Sequence, residues 1–458
     1  MVFQPVIIAV MWLFDCFDES VCKIISMQNC IRLLIYNIER KRIMKKEKIF
    51  FLLLFFMLNY ANSQAQQSEK LKPYVNTLKE KGDEPIHFIL DKLDHYDLIL
   101  FDDALHTAVE PFEFYQDLIK NVDFQKKVKY VFLEAVSINQ QPALDEYFES
   151  KVDDLKFLYP AFQNDFSGTG WPYKTYFDLL QTIWKINSTL PVQDRFKVIA
   201  VNAPTYWKEI NTPKDIDLFR LSLAGNNYTM YKIILSYLDN FKSGEKGIFL
   251  TNTRHAYKGI KNRENKYYWN CGTFFYLHNP GKTYSVHFHN INLSFEGKKE
   301  VDSKILKTTE GLENVIVKWV RMENGLWDSA FEIFGNTPIA FDLKDTPFGK
   351  AEYIGNHMLD IASGQKMYNA YDALIFLAPV EKLRQTAMVD FIYTEEYKHE
   401  LERRSKFLYT EEQIDKILND YGLKSLREFI DNYFIYKPEI LQPLAKEIGP
   451  LEAWKTKE

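Results

Sequence analysis

The feature that most constrains this chain is a series of short apolar runs, each stopping abruptly at polar residues. Leu98-Ile99-Leu100-Phe101 runs into Asp102-Asp103-Ala104-Leu105-His106, and Glu110-Pro111 then opens an amphipathic segment over 112–122. Lys129-Tyr130-Val131-Phe132-Leu133 stops at Glu134, and Gly247-Ile248-Phe249-Leu250 stops at Thr251-Asn252-Thr253-Arg254-His255. The run 196–201 ends in Asn202, and 267–273 and 283–289 read as extended. Runs of this length, bounded by turn residues, are buried strands, and their alternation with helical patterns predicts parallel pairing. The expected fold is α/β: a mainly parallel central sheet of at least five strands, helices on both faces, a helical insertion and a C-terminal helical cap. Neighbouring parallel strands bring their polar ends to one edge, where such sheets form their crevices.

Asp103, His106, Glu134 and His255 are therefore the candidate catalytic residues. An imidazole titrates near neutrality and suits proton abstraction, and a carboxylate beside it fixes its tautomer. Arg254 and Glu110 are candidates for binding substrate, and Arg254 and His255 for polarising it or stabilising a developing oxyanion. Each residue alone has a plainer use, since acidic groups after strands cap helices and single histidines pack in cores. No Gly-x-Ser-x-Gly elbow accompanies the set, so an activated water is favoured over a serine or thiol nucleophile. His287 and His289 share a strand face by the period of two. They are candidates for orienting the substrate or, with Asp103, Glu134 and His255, for holding a metal. His357, in Gly355-Asn356-His357, is a weaker candidate for the same neighbourhood.

Taken in order, Asp102-Asp103-Ala104-Leu105-His106-Thr107, Glu134 and His255 resemble the superfamily of the erythromycin esterases and the ChaN/Tiki-like proteins. The esterase branch carries Gly-Glu-Ala-Thr-His-Gly after its first strand, and the Asp103-x-x-His106 spacing is similar to that branch more than to ChaN. Tyr371-Asp372-Ala373-Leu374-Ile375-Phe376 resembles the closing strand, so the likeness spans about 97–379. Asp102 and Asp103 stand where the esterases have glycine and glutamate. Asn202 stands where the family strand ends in aspartate. The resemblance implies hydrolysis of an ester or similar bond in a small-molecule substrate, with haem or iron binding as the alternative from the ChaN branch. A member that keeps the fold without the chemistry is a third reading. The residues themselves require no cofactor and leave a divalent metal or haem open.

The N-terminal stretch differs from the rest. Met44-Lys45-Lys46-Glu47-Lys48 precedes an apolar run over 49–58 and then Ala61-Asn62-Ser63-Gln64-Ala65. This is the pattern of a signal peptide over 44–65, and the run is too short for an ordinary membrane span. Residues 1–43 read as an over-extended start, and the mature protein is expected to be exported, periplasmic or secreted, with no stable span after cleavage. It would keep Cys271 of the four cysteines, hence no internal disulfide. A formal net charge of -5 gives no electrostatic reason to expect nucleic acid as a partner. The α/β domain is expected over 66–379, with insertions at about 140–195 and 291–350. In the first insertion, the loop 164–172 reads either as a substrate wall or as a surface connection. Residues 380–458 form the helical extension, with capping-box patterns at Thr410 and Ser425.

Overall fold

Among the described residues, nine strands organise the fold: β1 Leu98–Asp102, β2 Val128–Ser137, β3 Lys197–Asn202, β4 Lys246–Thr251, β5 Thr283–Phe288, β6 Asn292–Gly297, β7 Val315–Val320, β8 Ile339–Asp342 and β9 Ala373–Phe376. The computed structural model describes residues 69–104, 106–297, 315–354, 361–434 and 448–455. The expected signal peptide, the segment before it and His357 lie outside the described residues. So does Leu105. All elements below belong to the unit Leu71–Glu458.

Seven strands form one sheet in the order β3-β2-β4-β1-β5-β9-β8, parallel except for β8, which runs antiparallel to β9. The sheet is buried on both sides because alternate residues feed two cores. Ile99, Phe101, Val131, Leu133, Ile248 and Leu250 pack under the Pro85–His95, Glu110–Lys120 and Lys174–Thr189 helices. Leu98, Leu100, Phe132, Ile199 and Phe249 pack under Asn226–Tyr237, Cys271–His278 and Leu326–Ile333. Phe101 sits in an aromatic nest of Phe114, Tyr115 and Phe288. Burial of a side chain that size contributes about 2 kcal/mol, so β1 is pinned on the helix that follows it. Pro111 begins that helix where a missing N–H costs nothing.

The topology places a crevice. From β1 the chain goes to β2 and β3 on one side, returns through β4 beside β1, and continues on the other side with β5, β9 and β8. The reversal lies at β4 and β1, and ligands collect at the carboxyl ends of strands at such points.

Several expectations need adjusting. Glu134 lies inside β2 rather than after it, in a stretch where the pairing with β3 shifts register between Leu133 and Ser137. The run 339–343, read as part of an insertion, supplies the antiparallel edge strand β8. The segment 267–273, expected to be extended, enters the Cys271–His278 helix instead, capped by Asn270. The rest of the 291–350 region includes the two-stranded hairpin β6–β7. Residues 140–195 are mainly helical, with Gln141–Glu149 and Lys174–Thr189 among their helices. The C-terminal helices Glu395–Leu408 and Glu411–Tyr421 follow, the latter with the capping box at Thr410. Tyr397 and Leu401 tie the former into the core.

Candidate active site

The end of β1 turns sharply. Ala104 has φ +60°, a left-handed conformation that L-residues adopt at a cost, and the Asp102 carboxylate holds it by accepting the Ala104 N–H at 2.8 Å. This turn presents Asp103 and His106 to the edge of the sheet, with Asp103 Oδ2 3.2 Å from His106 Nδ1. Tyr176, on the Lys174–Thr189 helix, brings its hydroxyl to 3.0 Å from the same nitrogen. On the other side of the ring, Asn252 Nδ2 lies 2.8 Å from Nε2, and Glu134 Oε1 lies 3.5 Å from it.

Glu134 is the hub between the two histidines. Its Oε1 is 3.1 Å from His255 Nε2, and its Oε2 accepts from the Thr251 hydroxyl and, at 3.2 Å, from the Asn252 N–H. His255 Nδ1 faces Asn227 Oδ1 at 2.7 Å, and Cys271 N–H donates to that same oxygen at 3.1 Å. The amide is therefore oriented with its oxygen toward His255, and Nδ1 donates to it as Nε2 donates to the Glu134 carboxylate.

Burial and charge compete across this set. Burial pushes the Asp103 carboxyl up to about 6, with His106 pulling the other way. Burial also opposes a charge on His106 while the Asp103 and Glu134 carboxylates favour one, and these effects by themselves would push the imidazole up to about 10. For Glu134, burial favours the neutral acid, yet His255 and His106 hold its carboxyl well below the usual carboxylate range. Burial pushes the Tyr176 phenol far up, so it stays protonated as a hydrogen-bonding group.

A cavity of about 530 Å³ opens on this cluster. His106, Glu134, Asn252, His255 and Arg254 line its polar side, while Phe166, Trp171 and Tyr173 form an aromatic wall. The loop 164–172 is thus a wall of the cavity. Buried Asp165 shapes it by accepting from Ser167 and Gly170 N–H groups, and Gly170 takes φ +90° with the Tyr397 hydroxyl 2.9 Å from where a Cβ would stand. A side chain at 170 would be strained and crowded there. Trp171 then meets the His106 ring edge-on at a centroid distance of 4.9 Å.

The structure brings Asp103, His106, Glu134, His255 and Arg254 together, and separates the other candidates from them. Glu110 is buried in an ion pair with Arg384 at 2.8 Å and does not line the cavity. His287 lies level with Asp102 across the β1–β5 pairing and binds its carboxylate at 2.7 Å. His289, one residue beyond β5, turns to buried Asp328 at 3.1 Å. The pair is therefore split between two buried carboxylates, although both residues keep the spacing of one strand face. Among the described residues, no group of three or more His, Cys, Asp or Glu side chains is arranged to hold a metal ion. His106 and His255 present both ring nitrogens to partners already described, so these residues do not fit an axial ligand to haem iron without losing those contacts. Cys271 is buried, and desolvation pushes its thiol far up, away from a nucleophilic thiolate. Tyr176 and Asn227 were not identified from sequence; both sit on helices with nothing in the local pattern to set them apart.

No protein-family model and no curated protein matches the sequence. Among solved structures, the chain is similar to an erythromycin esterase in its open conformation, at 11% identity over 64% of this chain and 92% of that one, with a TM-score of 0.42. It is also similar to a succinoglycan biosynthesis protein, at 10% identity over 68% and 97%, TM-score 0.45. A third is ChaN of Campylobacter jejuni with cofacial haem, at 14% identity over 51% and 91%, TM-score 0.30. The chemistry assigned below rests on the geometry of the site itself.

Proposed function

We propose that this chain is a hydrolase of an ester or similarly activated bond, using a water activated by His106. The observation that carries the reading is the convergence of His106, Glu134, His255 and Arg254 on one cavity, with Asp103 buried behind the imidazole. His106 Nε2 takes a proton from water as its oxygen attacks the carbonyl carbon. Asp103 accepts the Nδ1 hydrogen and stabilises the imidazolium that forms. The bond to the leaving group breaks as the tetrahedral intermediate collapses, and the departing oxygen takes the proton back from Nε2. Arg254, exposed on the cavity rim, supplies positive charge for the developing oxyanion. His255 was a candidate for the same task, but its Nε2 is committed to Glu134, so its role is to hold that carboxylate. The sequence pattern over 44–65 supports an exported enzyme.

The test is hydrolysis of a panel of chromogenic esters by the purified protein, with His106→Ala as control. Turnover lost in the variant supports the reading; turnover equal in both removes His106 from the chemistry. A Soret shift on adding hemin, with no turnover, would favour haem binding instead.

A further inference from the structure

His106 stands between two demands. Asp103 and Glu134 both favour a hydrogen on the ring nitrogen that faces them, and charge alone would make the ring an imidazolium. Asn252 opposes this at Nε2. Its Oδ1 accepts the Arg254 N–H at 2.9 Å, as the cap of the Thr253–Ala256 turn. With its oxygen committed there, the amide shows its NH2 group to His106 at 2.8 Å. That group only donates, so a hydrogen on Nε2 would set two donors face to face. Flipping the amide merely moves the clash to the Arg254 N–H.

The Glu134 contact does not compensate. At 3.5 Å it is longer than a normal hydrogen bond, and Glu134 is already supplied by Thr251, the Asn252 N–H and His255. The groups facing His106 are then Asp103 from the β1 turn, Glu134 from β2 with His255 behind it, Tyr176 from its helix, and the uncharged edge of Trp171.

We propose that Asn252 is a positioning residue that keeps His106 neutral, with its hydrogen on Nδ1 toward Asp103 and its Nε2 lone pair held by an amide. The lone pair that a base needs is thus preset on the side where the cavity water enters, and the amide yields to that water during turnover. The catalytic meaning of this arrangement rests on the hydrolase reading; the protonation pattern does not.

Nitrogen NMR on protein labelled at histidine tests it, with His106 assigned by the signals lost in His106→Gln. At pH 7 the wild type should show one protonated nitrogen, Nδ1, and one bare nitrogen, Nε2. Asn252→Asp keeps the cap but replaces the donor with an acceptor, and both nitrogens should then carry hydrogen. Its kcat/KM at neutral pH should drop roughly tenfold or more, because the base is already protonated. Asn252→Ser, which also caps, should shift the pattern the same way and serves if the aspartate variant does not fold. Two protonated nitrogens in the wild type, or spectra unchanged by both substitutions, would overturn the proposal. A bare Nε2 in a protein that hydrolyses nothing leaves the positioning role standing and ends the hydrolase reading. His106-dependent turnover with both nitrogens protonated does the reverse.

Discussion

Two histidine–carboxylate clusters begin on adjacent residues of the β1 edge, and they differ in what their carboxylates lack. Asp102 accepts from the Ala104 N–H, the Thr253 hydroxyl at 2.9 Å, His287 Nδ1 and the Tyr371 hydroxyl at 2.5 Å. That fills the sites a carboxylate offers, and the group is fully buried. Asp103 contacts His106 through one oxygen, while its other oxygen is buried with no hydrogen-bond partner among the described residues. Residue types and positions are nearly the same, yet one carboxylate is saturated and fully buried, and the other is under-supplied and backs onto a cavity of about 530 Å³. A saturated carboxylate fixes geometry, whereas an unsatisfied one beside an imidazole has capacity left for a reacting system. Asp102 also connects the two, since it holds the Ala104 turn that aims Asp103 and His106.

The largest effect that would sharpen this contrast is on turnover. His106→Gln should lower kcat/KM on any ester the protein accepts by about a thousandfold, the range expected for a general base, with little change in melting temperature. Next is stability: Asp102→Ala removes the buried acceptor of His287, Tyr371, Thr253 and the Ala104 N–H. It should cost about 3 kcal/mol in denaturant unfolding, and a loss under about 1 kcal/mol would break the structural reading of that cluster. The pH profile comes third. Burial raises the Asp103 carboxyl to about 6, so it is ionised above that pH and takes a proton below it. Protonated Asp103 no longer stabilises the imidazolium, so kcat/KM should fall as pH drops through about 6, approaching tenfold per pH unit. A limb only near 10, where charge alone would place His106, contradicts this. The smallest effect is at Ala104, where Ala104→Gly relieves the left-handed strain but adds flexibility to the unfolded chain. A gain in stability of up to about 1 kcal/mol by thermal melting is expected.

Much of the fold could be read from the apolar runs, because strands buried on both faces carry a continuous signal. The edge strand β8 escaped, as its four residues are flanked by turn residues and its partner β9 follows some 30 positions later in the sequence. Strand ends located Asp103, Glu134 and His255 because parallel neighbours share an edge. They could not show that Glu134 sits within an irregular stretch of β2. The period of two placed His287 and His289 on one face but not what each face meets, and those neighbours, Asp102 and Asp328, are set by pairing and by a helix 39 residues beyond His289. Tyr176 and Asn227 act through long-range packing that no local pattern encodes.

The central claim is that one cluster carries chemistry and the other carries structure. Turnover and melting temperature measured side by side for His106→Gln and His287→Gln test it most directly. A crossed result is expected: His106→Gln loses turnover and keeps its melting temperature, while His287→Gln melts earlier and its folded fraction keeps turnover. Equal loss of turnover in both, at unchanged melting temperatures, would contradict it.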